Sequence, residues 1–136
     1  GSIYEGNYFN NKKQGKGKFV WADGSSYEGE FYNDEINGKG NFRWLDNSYY
    51  EGQWKNGKIE GYWKLSFFNG QYYEGEFSEN KKSGKGKYFY NSNRYFEGNW
   101  KNNLENGEGV LILGNKKHHG IWKDGKLLKK INIKKE

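Results

Sequence analysis

The chain has 136 residues, 32% hydrophobic and 20% aromatic, with 21 Gly, a net charge of +6 and no Pro, Cys or Met. Zero Cys excludes a disulfide framework and thiol-based metal or nucleophile chemistry, and no apolar run is long enough to cross a membrane as a helix. So polar a chain would not bury enough apolar surface to fold, except that its 6 Trp, 12 Tyr and 9 Phe each bury about 150–250 Å² when they share a face.

Residues 1–3 are a lead-in, and Gly1-Ser2 reads as a remnant of protease cleavage. From Tyr4 the chain repeats itself. Tyr4-Glu5-Gly6-Asn7-Tyr8 recurs in variant form from Tyr27, Tyr50, Tyr73, Phe96 and His118, a spacing of 23 residues that shortens to 22 at the last step. Other columns keep the same phase. Gly15, Gly38, Gly61, Gly84 and Gly107 form one, and Gly17, Gly40, Trp63, Gly86 and Gly109 the next. Phe19, Phe42, Leu65, Tyr88 and Leu111 follow, then Trp21, Trp44, Phe67, Tyr90 and Leu113. Five full units and a sixth half-unit fill residues 4–125, and residues 126–136 form a basic tail.

Within each unit the hydrophobic period is two, which argues short half-buried β-strands. Tyr27, Gly29 and Phe31 face one side, with Glu28 and Glu30 opposite; Gly38, Gly40, Phe42 and Trp44 continue the ring-bearing side. Asn, Asp and Gly mark the turns, at Asp23-Gly24 and Asn69-Gly70 on one edge and Asn11, Asp34 and Asn80 on the other. Pairing Trp21 with Tyr27 sets Phe19 opposite Gly29, Gly17 opposite Phe31, and Gly109 opposite Trp122. It also sets Lys18 opposite Glu30, Lys64 opposite Glu76 and Arg43 opposite Glu51. Gly52 then faces Phe42, so Gly52→Val should crowd that ring. The shortened step is absorbed in the turn near Asn115. The predicted fold is all-β: one elongated, twisted antiparallel meander of eleven or twelve strands, quasi-one-dimensional, with a helix or tail at the C-terminus.

These columns resemble the MORN (membrane occupation and recognition nexus) repeat, whose pattern of about 23 residues runs Tyr-Glu-Gly-x-Trp, a turn glycine, Gly-x-Gly, an aromatic pair and Asp-Gly. The resemblance covers about nine-tenths of the chain, departing at Trp63, Phe96 and His118-His119. It implies an elongated β-meander without catalytic activity, acting as a scaffold or assembly module, often attached to other domains or found in cortical, ciliary and junctional assemblies. It also raises anionic-lipid binding, proposed for the family but not general to it.

The residues themselves point to binding rather than chemistry. The Gly-x-Gly pairs are packing glycines, since no Gly-Lys is followed by Ser or Thr as a phosphate loop requires. His118 and His119 are adjacent on a strand and point to opposite faces, so they do not chelate a metal jointly. Glu5, Glu28, Glu51, Glu74 and Glu97 face Lys and Arg and read as a solvated, salt-bridged surface. With no nucleophile–base pair, no enzyme activity, cofactor or small-molecule substrate is expected. The ring-bearing face of a single sheet either curls so that rings pack on rings or stays partly open; Trp54, Trp63, Phe67, Trp100 and Trp122 are its candidate partner-binding residues. The basic excess lies entirely from Val110 onward, eight Lys against Asp124 and Glu136. Lys116, Lys117, Lys126, Lys129, Lys130, Lys134 and Lys135 are therefore candidates for an anionic phospholipid surface or an acidic partner. In the tail, a helix would cap the last strand with Leu127, Leu128, Ile131 and Ile133. The strand at Tyr4 starts without a cap, so either the array extends upstream or two chains associate.

The leading expectation is a protein-binding scaffold; the alternative is a lipid-surface module. A secreted sugar- or choline-binding repeat is a third reading, disfavoured by unit length and phase. Nucleic acid is not an expected partner, because aromatic and basic residues are not interleaved on the neutral repeat body. Absent Cys, sequons and signal peptide fit an intracellular, cytoplasmic setting, and the resemblance implies a cortical or cytoskeletal structure within it.

Overall fold

A computed structural model describes residues 1–131. Among these, twelve antiparallel strands form one open sheet in chain order. They are β1 (Ile3–Phe9), β2 (Lys12–Val20), β3 (Ser26–Tyr32), β4 (Glu35–Arg43), β5 (Tyr49–Lys55), β6 (Lys58–Ser66), β7 (Tyr72–Ser78), β8 (Lys81–Asn91), β9 (Arg94–Lys101), β10 (Leu104–Leu113), β11 (Lys116–Lys123) and β12 (Lys126–Lys130). The all-β meander expected from the period of two is what forms.

Each unit is a hairpin closed by a two-residue turn in which both residues take positive φ: Asn10-Asn11, Asn33-Asp34, Asn56-Gly57, Glu79-Asn80, Asn102-Asn103 and Asp124-Gly125. That is the backbone of a type I′ turn, whose twist matches that of paired strands and which Asn, Asp and Gly tolerate best. The turns also fasten unit to unit. Asp34 Oδ1 accepts from the Lys13 amide at 2.7 Å, while the Asp34 amide donates back to the Lys13 carbonyl at 3.0 Å. Asn80 makes the same double contact with Ile59, and Asn103 with Lys82.

The second edge carries a different loop. The Gly24 amide donates to the Trp21 carbonyl at 3.0 Å, and Asp23 Oδ1 accepts from the Ser25 amide and hydroxyl at 2.9 and 2.7 Å. These two bonds hold the Asp23 carboxyl below its ordinary pKa, the hydroxyl contributing most. Leu113 pairs with Lys116 across Gly114-Asn115 alone, and the missing residue of the sixth unit is lost there.

The register differs from the one read off the sequence by two residues. Phe19 faces Tyr27, Gly17 faces Gly29 and Gly15 faces Phe31; Gly107, not Gly109, faces Trp122. Lys18 accordingly meets Glu28, Lys64 meets Glu74, and Arg43 meets Tyr49 rather than Glu51. Gly52 lies opposite Gly40, and Phe42 opposite Tyr50. A side chain at Gly52 would strike Trp63 and the Tyr50 hydroxyl, not Phe42. A slip of two keeps every residue on its face, so the division into ring side and charged side stands.

Inside each hairpin the register breaks once. Gly29 pairs with Gly40 and Phe31 with Ile36, so Asn37, Gly38 and Lys39 together oppose Glu30. This three-against-one bulge places Gly38 at φ +96°, where a Cβ would be strained. Gly40 has a different task. The Tyr27 ring lies flat against its Cα, and a Cβ there would overlap the Tyr27 hydroxyl.

Among the described residues of the tail the helix considered there does not form, and Ile133 lies outside them. After the turn at Asp124-Gly125 the chain returns as β12 beside β11, with Leu127 opposite Trp122 and against Gly120.

The core is a single layer of rings on one face. Tyr27, Tyr50, Tyr73 and Phe96, the first residues of four units, are the large side chains wholly removed from solvent. They belong to an unbroken file of eleven rings: Tyr8, Tyr4, Phe31, Tyr27, Trp54, Tyr50, Phe77, Tyr73, Trp100, Phe96 and Trp122. Every neighbouring pair meets edge to face, with centroids 4.9–5.7 Å apart and planes at 76–90°. Each such contact contributes about 0.5–1.5 kcal/mol beyond area burial. Buried hydroxyls find partners: Tyr27, Tyr50 and Tyr73 donate to the carbonyls of Glu30, Gln53 and Glu76 at 2.9–3.0 Å. Phe96 has no hydroxyl to offer the corresponding carbonyl of Asn99.

Tyr50→Phe should cost about 1 kcal/mol, and Phe96→Tyr should recover a similar amount; urea denaturation of both variants measures this. Burial raises the phenol pKa of Tyr27, Tyr50 and Tyr73 far above its ordinary value. As pH rises past about 10 the unfolded chain loses protons that the folded chain keeps, so stability falls. Tyrosinate absorbance from these three residues should appear only together with loss of the sheet.

Candidate interaction surfaces

The ring face leaves little surface for a partner. Trp54, Trp100 and Trp122 are only 7%, 5% and 5% exposed, and the indoles of Trp54 and Trp100 donate to the carbonyls of Gly40 and Gly86. Phe67 is half-buried and stacks on Tyr88, with centroids 5.8 Å apart. Trp63 is half-buried and outside the edge-to-face file; Lys39 Nζ lies 5.8 Å from its ring centroid. The five candidates thus divide into three core rings and two partly accessible ones.

The opposite, outer face carries an aromatic stripe that the repeated phrase conceals. In units three to five an extra Tyr precedes the phrase, at Tyr49, Tyr72 and Tyr95. Alternation sends these three outward. The register lines up Arg43, Tyr49, Ser66, Tyr72, Phe89, Tyr95, Ile112 and Lys117 across eight strands. Tyr72 and Phe89 stack at 4.8 Å and 13°. Arg43 sits 5.1 Å above Tyr49, Lys64 4.3 Å above Tyr72 and Lys87 4.5 Å above Tyr95. Burial chiefly, and then Glu51, raises the Tyr49 phenol pKa. All three tyrosines remain partly exposed.

The cross-strand charges are arranged with alternating sign: Glu51, Lys64, Glu74, Lys87 and Glu97 follow one another across five strands. None of these pairs closes to an ion pair. Among the described residues the one contact within 4.0 Å is Lys13–Asp34, at 3.8 Å, and the expected salt-bridged surface is instead one of cations lying over rings. Glu30 and Glu76 have a structural task besides solvation. Each accepts the bulge amide, of Lys39 and Lys85 respectively, at 2.6 Å.

Beside the stripe a groove of about 730 Å³ runs over β6–β11. Gly86, Gly98, Gly109 and Gly120 floor it, and Glu74, Glu97, Glu108, Lys85, Lys87 and Lys117 line it together with Tyr62, Tyr95 and His119. His118 and His119 pair with Leu111 and Val110 and so sit on opposite faces. Lys116, Lys117, Lys126, Lys129 and Lys130 are exposed on β11 and β12. Lys134 and Lys135 lie outside the described residues.

Lys82, like Lys13, lies on the ring face. It occupies the column filled by Ile36 and Ile59, opposite Phe77, with Nζ 5.6–5.9 Å from the Tyr73, Tyr88 and Trp100 rings. Burial lowers its pKa, partly offset by Glu105. Lys82→Ile should therefore raise the melting temperature at neutral pH. That gain should shrink as pH rises through the folded-state pKa of Lys82, where the wild-type amine sheds its charge.

The repeat columns, the twelve-strand meander and the glycine-backed ring file agree with comparison against known families. The MORN repeat profile matches residues 4–26, 27–49, 50–72, 73–94 and 96–117. Among curated proteins, none gives a significant match. On five consecutive matched repeats spanning most of its length, the chain belongs to the MORN repeat family.

Proposed function

We propose that the chain is a non-catalytic scaffold acting inside the cell, holding protein partners against the stripe on its outer face. One observation carries the reading: Tyr49, Tyr72 and Tyr95 stay partly exposed on a face of the sheet away from the packed ring core. Rings flanked by Arg and Lys are the contact chemistry enriched at protein interfaces. The adjoining groove matches three carboxylates with three lysines, which suits a segment carrying both charges better than a uniformly anionic polymer. The test is capture from native extract by the wild-type chain and by a Tyr72→Ala, Tyr95→Ala variant. Both should fold, since neither ring belongs to the buried file, and the variant should lose the proteins that the wild type retains. Equal recovery of the same proteins by both would refute the stripe as the binding surface.

A second reading rests on the exposed lysines of β11 and β12: attraction to anionic phospholipid, worth about 1 kcal/mol per lysine near the surface. The pairing puts Lys117 and Lys129 on the outer face and Lys116 and Lys130 on the inner, so the charge surrounds the end of the sheet. Co-sedimentation with phosphatidylserine vesicles should weaken with salt and with Lys126→Glu, Lys129→Glu and Lys130→Glu combined. Indifference to both would rule lipid out.

A further inference from the structure

The outer stripe has a regular interval. Tyr49, Tyr72 and Tyr95 stand on every second strand, β5, β7 and β9, in one cross-strand row. Neighbouring strands lie about 4.8 Å apart, so these rings recur about every 9.6 Å and the three together span about 19 Å. Tyr72 and Phe89 face each other on adjacent strands, with centroids 4.8 Å and planes 13° apart. That separation is the strand spacing itself, so both rings stand up from the sheet with their edges outward. Between Tyr49 and Tyr72 the row holds Ser66, in the column that the next unit fills with Phe89. The row is therefore notched there, one ring wide, with two upright tyrosines as walls. A cation accompanies each tyrosine at the same interval: Arg43 by Tyr49 at 5.1 Å, Lys64 by Tyr72 at 4.3 Å and Lys87 by Tyr95 at 4.5 Å.

We propose that the occupant of this row is a proline-rich segment in the polyproline II conformation, laid across the strands; the inference rests on the stripe being the binding surface. A polyproline II helix returns to the same side every three residues, after about 9.3 Å, and so keeps step with rings about 9.6 Å apart. A segment of about seven residues rises about 19 Å and reaches from Tyr49 to Tyr95. Other regular segments fall out of step. An extended strand returns to one side after about 6.7 Å and misses the middle ring. An α-helix returns after two turns, about 10.8 Å, and is about 2 Å out by the third ring. Aromatic-lined grooves are the surfaces on which polyproline II segments dock, and the notch at Ser66 seats one pyrrolidine. Such a helix has no internal hydrogen bonds, so its carbonyls need donors, and Arg43, Lys64 and Lys87 bring one cation to each turn. Proline has no N–H of its own, so the segment strands no donor against the rings.

The probe is a fluorescein-labelled oligoproline of about nine residues, long enough to pass all three rings, titrated with the full chain and followed by anisotropy. A proline-free peptide of equal length, alternating Glu and Lys, is titrated beside it. Oligoproline should bind, and the alternating peptide should bind more weakly. Tyr72→Ala should lower the affinity for oligoproline about tenfold, the loss expected of a central interface aromatic. Ser66→Phe should weaken it comparably by filling the notch. That substitution copies what the following unit carries at Phe89, so the melting temperature should stay at the wild-type value. Oligoproline that fails to bind, or that binds the wild type and both variants alike, would overturn the proposal. If the alternating peptide alone binds and Tyr72→Ala releases it, the polyproline assignment falls while the stripe stands as the binding surface. If neither peptide binds, the proposal falls and the capture comparison alone decides the stripe.

Discussion

Everything in this sheet depends on a tyrosine ring lying flat over a glycine. A single β-layer has no second layer to bury its apolar side, and a ring standing upright from it would be mostly wet. At Gly40 and Gly86 the missing side chain lets the Tyr27 and Tyr73 rings recline across the neighbouring strand. Reclined, they meet Phe31, Trp54, Phe77 and Trp100 edge to face. The glycines are thus the hydrophobic core's geometry expressed as absent atoms, which explains how a chain with so few aliphatic residues folds. Where a unit departs from the rule, the surroundings change with it: Trp63 replaces the glycine, stands outside the ring file and lies near Lys39.

The fold was legible because period two, the turn residues and the 23-residue phase all report on the same hairpin. The register was not. Alternation fixes faces, and a slip of two preserves them. The charges could not arbitrate, since Lys18 finds a carboxylate opposite whether it meets Glu28 or Glu30, and Lys64 does so with Glu74 or Glu76. What decides is the pairing of glycine with glycine, together with a bulge that takes up the extra residues within each hairpin. A pattern of residue types carries no direct sign of a bulge. The conformation at Gly38 is visible only as an invariant column whose purpose the backbone reveals.

The candidate surface was legible only in part, and for a related reason. The repeated phrase places its aromatic residues on one face, and three of the rings it offers there, Trp54, Trp100 and Trp122, belong to the buried core. Tyr49, Tyr72 and Tyr95 look in sequence like duplications of the first residue of the phrase, yet one step along a strand is a change of face. The signal was present in the doubled Tyr-Tyr and Tyr-Phe pairs of units three to five. Likewise Glu30 and Glu76 read as solvent-facing acids until the bulge shows an amide in need of an acceptor.

The strands run across the array, so its long axis is spanned by hydrogen bonds and ring contacts acting in series, not by covalent backbone alone. A pull applied between the ends would load one strand pair at a time, and the array would open like a row of buttons. Asp34, Asn80 and Asn103 alter that picture at one margin, where each hairpin tip is hooked onto the strand one unit back. Gly57 and Gly125, lacking a side chain at the same place, keep only the backbone half of the hook. The array is therefore hinged unevenly, firm where the hooks are double and more pliant at the third and sixth tips.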